Sequence, residues 1–136
     1  MSFVLDSSTT MAWCFADEAT SFTDGLLARL RDGEAAAPAI WPLEVANVVL
    51  SAERRQRLTQ AQAEAFTRLL QTLAIMIDPI VSSSVWSAVT ALARRYQLSS
   101  YDAAYLELAL RLSLPLASLD QRLRGAATAA GVPLME

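Results

Sequence analysis

Apolar and polar positions along this chain change period every few residues, and the changes mark out its elements. Phe3-Val4-Leu5 is an apolar run that ends at Asp6, which predicts a short buried first strand. The stretch from Asp6 to Thr10 is a turn rich in capping side chains, and Met11 to Phe15 fits one or two helical turns. Asp17-Glu18-Ala19-Thr20 then opens a second helix, with Phe22, Leu26, Leu27 and Leu30 on one face and Gly33 ending it. Asp17 and Glu18 read as first-turn caps, where the helix dipole favours negative charge. Ala35-Ala36-Ala37-Pro38 is a weak second strand, because alanine suits strands poorly. Pro42 starts a helix that runs to about Arg57. A turn at Leu58 joins it to a helix with a Thr59-to-Gln62 capping box and a stripe of Phe66, Leu69, Leu70 and Leu73.

The second half continues the alternation. Ile75 to Asp78 reads as a third strand ended by Pro79. Ser82 to Ser84 cap a helix with Val85, Val89, Leu92 and Tyr96 inward, and Trp86 off that face is a candidate for a partner surface. A helix from about Tyr101 to Leu112 carries Asp102 in its first turn, and a strand over Leu116 to Ser118 is followed by Asp120. A last helix from Gln121 to Ala130 stops at Gly131, and Val132-Pro133-Leu134 fits an edge strand, where proline is tolerated. No repeat or linker interrupts residues 1–136. Strands alternating with helices predict one α/β domain, a three-layer α/β/α arrangement around a mainly parallel sheet of about four to five strands.

Composition narrows the chemistry. With 54% hydrophobic and 18% charged residues, the 136-residue chain can bury a core. Charged residues cut every apolar run before about 18 residues, so no transmembrane span is expected. The start has no basic region of the signal-peptide kind, and Cys14 is alone, which together point to a reducing, cytoplasmic setting. Histidine is absent, excluding Ser-His-Asp and Cys-His catalysis and imidazole metal sites. Lysine is absent too, since all 11 basic residues are arginines, so P-loop and Schiff-base chemistry fall away. Any catalysis rests on carboxylates. A net charge of −3 argues against broad attraction to nucleic acid. The clusters Arg54-Arg55, Arg57 and Arg94-Arg95 read first as solvated helix faces, with a local basic rim left open.

Four acids stand out by position. Between Ala35 and Ala52, Glu44, Asn47 and Ser51 share one narrow face of an otherwise apolar helix, so that face meets either solvent or a polar cleft. Taken singly, Asp102 and Asp120 suit helix caps and Asp6 an Asx turn. In a parallel sheet, however, Asp6 and Asp120 both follow strands and share the carboxyl edge, where such folds hold their ligands. Asp102 and Glu44 begin helices that can pack beside them. Carboxylates crowded without lysine or histidine raise one another's pKa, and a divalent cation relieves the repulsion. Oxygen donors alone suit Mg²⁺ or Mn²⁺, which can activate a water and neutralise a phosphodiester. A haloacid-dehalogenase-like reading fails, because Ser8 stands where its second aspartate is needed and there is no lysine.

The order Val4-Leu5-Asp6-Ser7-Ser8, Pro42-Leu43-Glu44-Val45-Ala46-Asn47, Tyr101-Asp102-Ala103-Ala104-Tyr105 and Ala117-Ser118-Leu119-Asp120 resembles the PIN-domain ribonucleases, most of all the VapC-type toxins of toxin–antitoxin pairs. The similarity spans nearly the whole chain. It implies a PIN-like domain over residues 1–136 and an Mg²⁺/Mn²⁺-dependent endoribonuclease, inhibited by a cognate antitoxin and assembled as a homodimer. Carried over by residue, it makes Asp6, Glu44, Asp102 and Asp120 the catalytic and metal-holding acids, Asp120 sometimes through water. Ser8 and Ser118 fall at auxiliary hydroxyl positions, and Ser118 stands where the family often has threonine. Two other readings are a non-catalytic module on the same fold that binds protein or RNA, and a metal-dependent phosphatase on a related sheet.

Overall fold

The computed structural model describes residues 2–136. Its centre is a parallel sheet of four strands, β1 (Phe3–Leu5), β2 (Ala35–Pro38), β3 (Ile75–Asp78) and β4 (Leu116–Ala117), in the order β3-β2-β1-β4. Around it lie α1 (Ser7–Ala12), α2 (Ser21–Arg29), α3 (Trp41–Arg54), α4 (Gln60–Thr72), α5 (Ser82–Ser84), α6 (Thr90–Tyr96), α7 (Ser100–Leu112) and α8 (Gln121–Ala129). A π-helical segment, Val85–Val89, joins α5 to α6. The three-layer α/β/α arrangement with a parallel sheet is thus present, as the alternation of elements predicts. The edge strand expected at Val132 to Leu134 shortens to one bridge, Leu116 to Leu134. No helix among the described residues is long and apolar enough to cross a membrane.

Helices on both faces of a parallel sheet leave its inner strands dry. All residues of β1 and β4, together with Ala35, Ala36 and Ala37, have no exposed surface. Here the alanines of β2 are an asset: short side chains let helices approach the sheet, so packing overrides weak strand propensity. β3, at the edge, is only partly buried, and its Ile77 is 40% exposed. α7 supplies the most continuous helical surface of the core, through Ala103, Tyr105, Leu106, Leu108 and Ala109.

Several sequence expectations need correction. Asp17 and Glu18 do not open α2. They lie in a separate 3-10 turn, Ala16–Glu18, and both carboxylates accept from Arg57, at 2.8 Å and 2.9 Å. Arg57 also lies 3.6 Å above the Phe15 ring centroid, so aromatic and carboxylate partners together hold it. α2 is capped instead by Thr20, in a reciprocal capping box with Thr23. Ser82, Ser83 and Ser84 lie inside α5, which follows Val81 without a side-chain cap. Of the inward set expected beyond them, Val89 alone is fully buried, while Val85, Leu92 and Tyr96 are partly covered; Trp86 is 75% exposed. Leu69, expected in the stripe of α4, is 41% exposed.

Candidate active site

Asp6 follows the last residue of β1 and serves as the N-cap of α1, accepting from Thr9 N–H at 3.0 Å. The Ser8 hydroxyl lies 2.8 Å from both of its carboxylate oxygens, and the Ser118 hydroxyl donates to Oδ2. Each serine also accepts a backbone N–H, Ser8 from Leu119 and Ser118 from Asp120, both at 3.0 Å. The ends of β1 and β4 are therefore laced together through one carboxylate. This follows from the register, in which Leu5 pairs with Ala117 and brings both strand exits side by side. Asp6 is 3% exposed, and burial holds its carboxyl above the ordinary aspartate range against the hydrogen bonds that lower it.

The α1 turn that carries Asp6 is itself pinned. Thr9 donates to Ala117 O at 3.1 Å, and Thr10 donates to Asp6 O at 2.8 Å. Trp41 Nε1–H donates to the Thr10 hydroxyl at 2.9 Å, which ties the start of α3 to the same turn. This places Glu44, one turn into α3, beside Asp6.

Glu44 is half-buried and accepts from the Tyr105 hydroxyl of α7 at 2.5 Å. Burial raises its carboxyl above the usual glutamate range; the Tyr105 bond opposes this, and the charges of Asp102 and Asp6 reinforce it. Asp102, in the first turn of α7 with Ser99 as N-cap, is raised by burial and by the charge of Asp120, with Arg122 pulling the other way. Asp120 is exposed and caps α8 by accepting from Leu123 N–H at 3.1 Å. Arg124 donates to Ser118 O at 3.0 Å and steadies the loop between them.

The structure thus brings the four acids to one edge, with Glu44 coupled to Asp6 and Asp102, and Asp102 coupled to Asp120. Among the described residues, no three acids stand close enough to form a ready-made group for a metal ion. Their oxygens are engaged instead by neutral partners: hydroxyls hold the Asp6 oxygens and Tyr105 holds Glu44 Oε1. The two options for the polar face of α3 are both realised along its length. Glu44 turns into the cleft, while Asn47 and Ser51 line a separate shallow groove with Phe15 and Arg55. Tyr105 is the site residue that sequence reasoning missed. Its place in the run from Tyr101 to Tyr105 was evident, but a phenol at a core position reads first as packing.

Structure comparison finds the same fold elsewhere. The chain superimposes with a TM-score of 0.70 on PAE2754 from Pyrobaculum aerophilum, at 20% identity over 93% of this chain and 79% of that one. For VapC20 of Mycobacterium tuberculosis, described as a sarcin-ricin loop cleaving toxin, the TM-score is 0.66 at 15% identity over 96% of each chain. For a toxin–antitoxin complex from Klebsiella pneumoniae it is 0.61 at 19% identity, over 88% of this chain and 87% of that one. Comparison with curated protein sequences gives no match. The PIN domain family model matches residues 3–129, nearly the whole length of the strands and helices that build the acidic edge. This chain belongs to the PIN domain family.

Proposed function

We propose that this chain is a metal-dependent endoribonuclease, a VapC-type toxin of the cytoplasm that cuts RNA and is held inactive by a cognate antitoxin, working as a homodimer. The observation that carries the reading is the convergence of Asp6, Glu44, Asp102 and Asp120 at the carboxyl edge of the sheet, with no lysine or histidine beside them. Family membership supports it, as does the likeness to structures described as a sarcin-ricin loop cleaving toxin and a toxin–antitoxin complex.

The donor set fits a hard divalent cation in kind: carboxylate and hydroxyl oxygens, without imidazole or thiolate. Burial raises the carboxyls of Asp6, Glu44 and Asp102 above their ordinary range, and neighbouring carboxylates add to this for Glu44 and Asp102. Asp6, Glu44 and Asp102, which form no ready-made group without the ion, would have to draw together to hold Mg²⁺ or Mn²⁺, with Asp120 at its margin. When bound, the ion supplies a more acidic water and charge neutralisation at a phosphodiester. The chain's own residues do the positioning. Ser8 and Ser118 orient Asp6 by donating to it, and Tyr105 fixes Glu44.

The test is cleavage of a panel of structured and single-stranded RNAs by partner-free protein, with Mg²⁺, Mn²⁺ or EDTA, beside Asp102→Asn. Discrete cuts that vanish with EDTA and with the substitution are expected. Folded protein that cuts no RNA with metal present, yet binds RNA or a protein partner equally well as Asp102→Asn, would instead be a binding module.

A further inference from the structure

Beyond the acids, a cavity of about 470 Å³ opens past the carboxyl ends of β2 and β3, on the edge where Asp6 leaves β1. Pro38 and Asp78, paired as the last residues of those strands, are part of its lining. Ile40, Ile80, Val81 and Tyr101 give it largely apolar walls. Ile80, Val81 and Tyr101 are 57%, 53% and 58% exposed, so the fold itself leaves this surface open. At one end, Arg111 donates to both oxygens of Asp78, at 2.6 Å and 3.3 Å, and to both of Glu107, at 2.8 Å and 3.3 Å, so further donors must share those oxygens. The carboxylates outnumber the guanidinium there.

On the endoribonuclease reading, we infer that this cavity receives the base of a nucleotide neighbouring the cleavage point, stacked on Tyr101 with its amino-bearing edge toward Asp78 and Glu107. Continuity with the acidic site supports the assignment. Tyr101 and Asp102 are consecutive residues in the first turn of α7, about 100° apart around its axis. Ile40 likewise immediately precedes α3, the helix of Glu44. None of the four acids lines the cavity itself, so an RNA strand lying over them would reach its mouth by crossing the start of α7 from Asp102 to Tyr101. The chemistry selects the base rather than the backbone. An exposed aromatic ring stacks with any base, whereas the excess carboxylate at the end of the cavity repels phosphate. Carboxylate oxygens accept only, so the exocyclic amines of adenine, cytosine and guanine are favoured over uracil, whose single N3–H donor is flanked by two carbonyl oxygens that the carboxylates repel.

The test is binding of fluorescent single-stranded RNA oligonucleotides in Mg²⁺, followed by anisotropy in an Asp102→Asn background so that no strand is cut. A set of oligonucleotides carries an abasic site at each position in turn. At one position, loss of the base should weaken binding about tenfold or more. Tyr101→Ala should abolish that difference, while Tyr101→Phe and Tyr101→Trp preserve it, and uracil there should bind less well than cytosine. Tyr101 is exposed, so these variants leave the core intact. No position-dependent loss, or a loss unaffected by Tyr101→Ala, overturns the base subsite, as does an absence of RNA binding. So does a dimer that Tyr101→Ala converts to monomer on size-exclusion chromatography, because the apolar walls then belong to a contact between two copies. Wild-type protein that shows the preference but cuts nothing keeps the subsite and overturns the nuclease. Wild-type protein that cuts without the preference does the reverse.

Discussion

The Tyr105 hydroxyl of α7 donates to Glu44 Oε1 of α3 at 2.5 Å across 61 residues of sequence. This bond ties together two helices that each bring an acid to the edge of the sheet. Burial and the neighbouring Glu44 carboxylate push the Tyr105 phenol far above its ordinary range, so it is a donor at neutral pH.

Tyr105→Phe keeps the buried ring and deletes only that donor. Glu44 then loses a bond to its charged form, and its carboxyl should rise further. The expected cost is about 1–2 kcal/mol of stability at neutral pH, read from urea unfolding. A midpoint equal to wild type would show that water replaces the phenol fully.

Ser118→Ala removes a fully buried hydroxyl that donates to Asp6 and accepts from Asp120 N–H. The expected loss is about 1–3 kcal/mol, because both partners are left short of a hydrogen bond. The lost bond favours ionised Asp6, so the deficit should be widest at neutral pH and narrow as Asp6 takes up its proton. A deficit constant across pH would mean that packing, not the carboxylate, dominates.

Asp102 has a raised carboxyl, and the sign of its pH effect is opposite to that of a salt-bridged aspartate. Between the ordinary and the raised value, the native chain holds more proton than the unfolded chain, so this group's contribution to stability falls as pH rises through that window. Asp102→Asn should therefore unfold at or above the wild-type temperature at neutral pH without metal. The advantage should close as pH falls below the ordinary carboxylate range. Calorimetry at a series of pH values checks it, and a variant less stable at neutral pH than at acid pH, relative to wild type, contradicts it.

Added Mg²⁺ or Mn²⁺ should stabilise the wild-type fold by about 2.7 kcal/mol at a hundredfold excess over its dissociation constant. Asp102→Asn should lose most of this gain, reversing the order of the two proteins relative to the metal-free comparison. Thermal melts with and without EDTA read both effects. Equal shifts in the two proteins would place the metal elsewhere.

Ser113 and Gln97 end α7 and α6 in the left-handed region, with φ of 55° for each. Their backbone N–H groups bond to carbonyls of the preceding turn, so no side chain is needed for the cap. Ser113→Gly should stabilise the protein by about 0.5–1 kcal/mol, since glycine adopts this conformation without the Cβ clash. Chemical denaturation measures it directly.

Much of this protein can be read from its sequence because the signals are local. The run Phe3 to Leu5 ending at Asp6, the box from Thr59 to Gln62 and the glycine at position 131 each fix an element through neighbouring residues. The order of the acids also identifies which positions can carry chemistry, because histidine and lysine are missing from the whole chain. Other features depend on contacts between distant residues. Asp17 and Glu18 look like helix caps until Arg57, 40 and 39 residues away, reaches them. Ala35 to Ala37 look too small for a strand until helices cover both faces of the sheet. Glu44 and Asn47 share a helical face in sequence, but α7 meets only the first of them, through Tyr105. Local signals along the chain account for most of the elements, their order and the acids available. The tertiary structure decided which acid is buried, which is held by a phenol and which cavity lies beside them, because burial and charge coupling arise only when distant segments pack together.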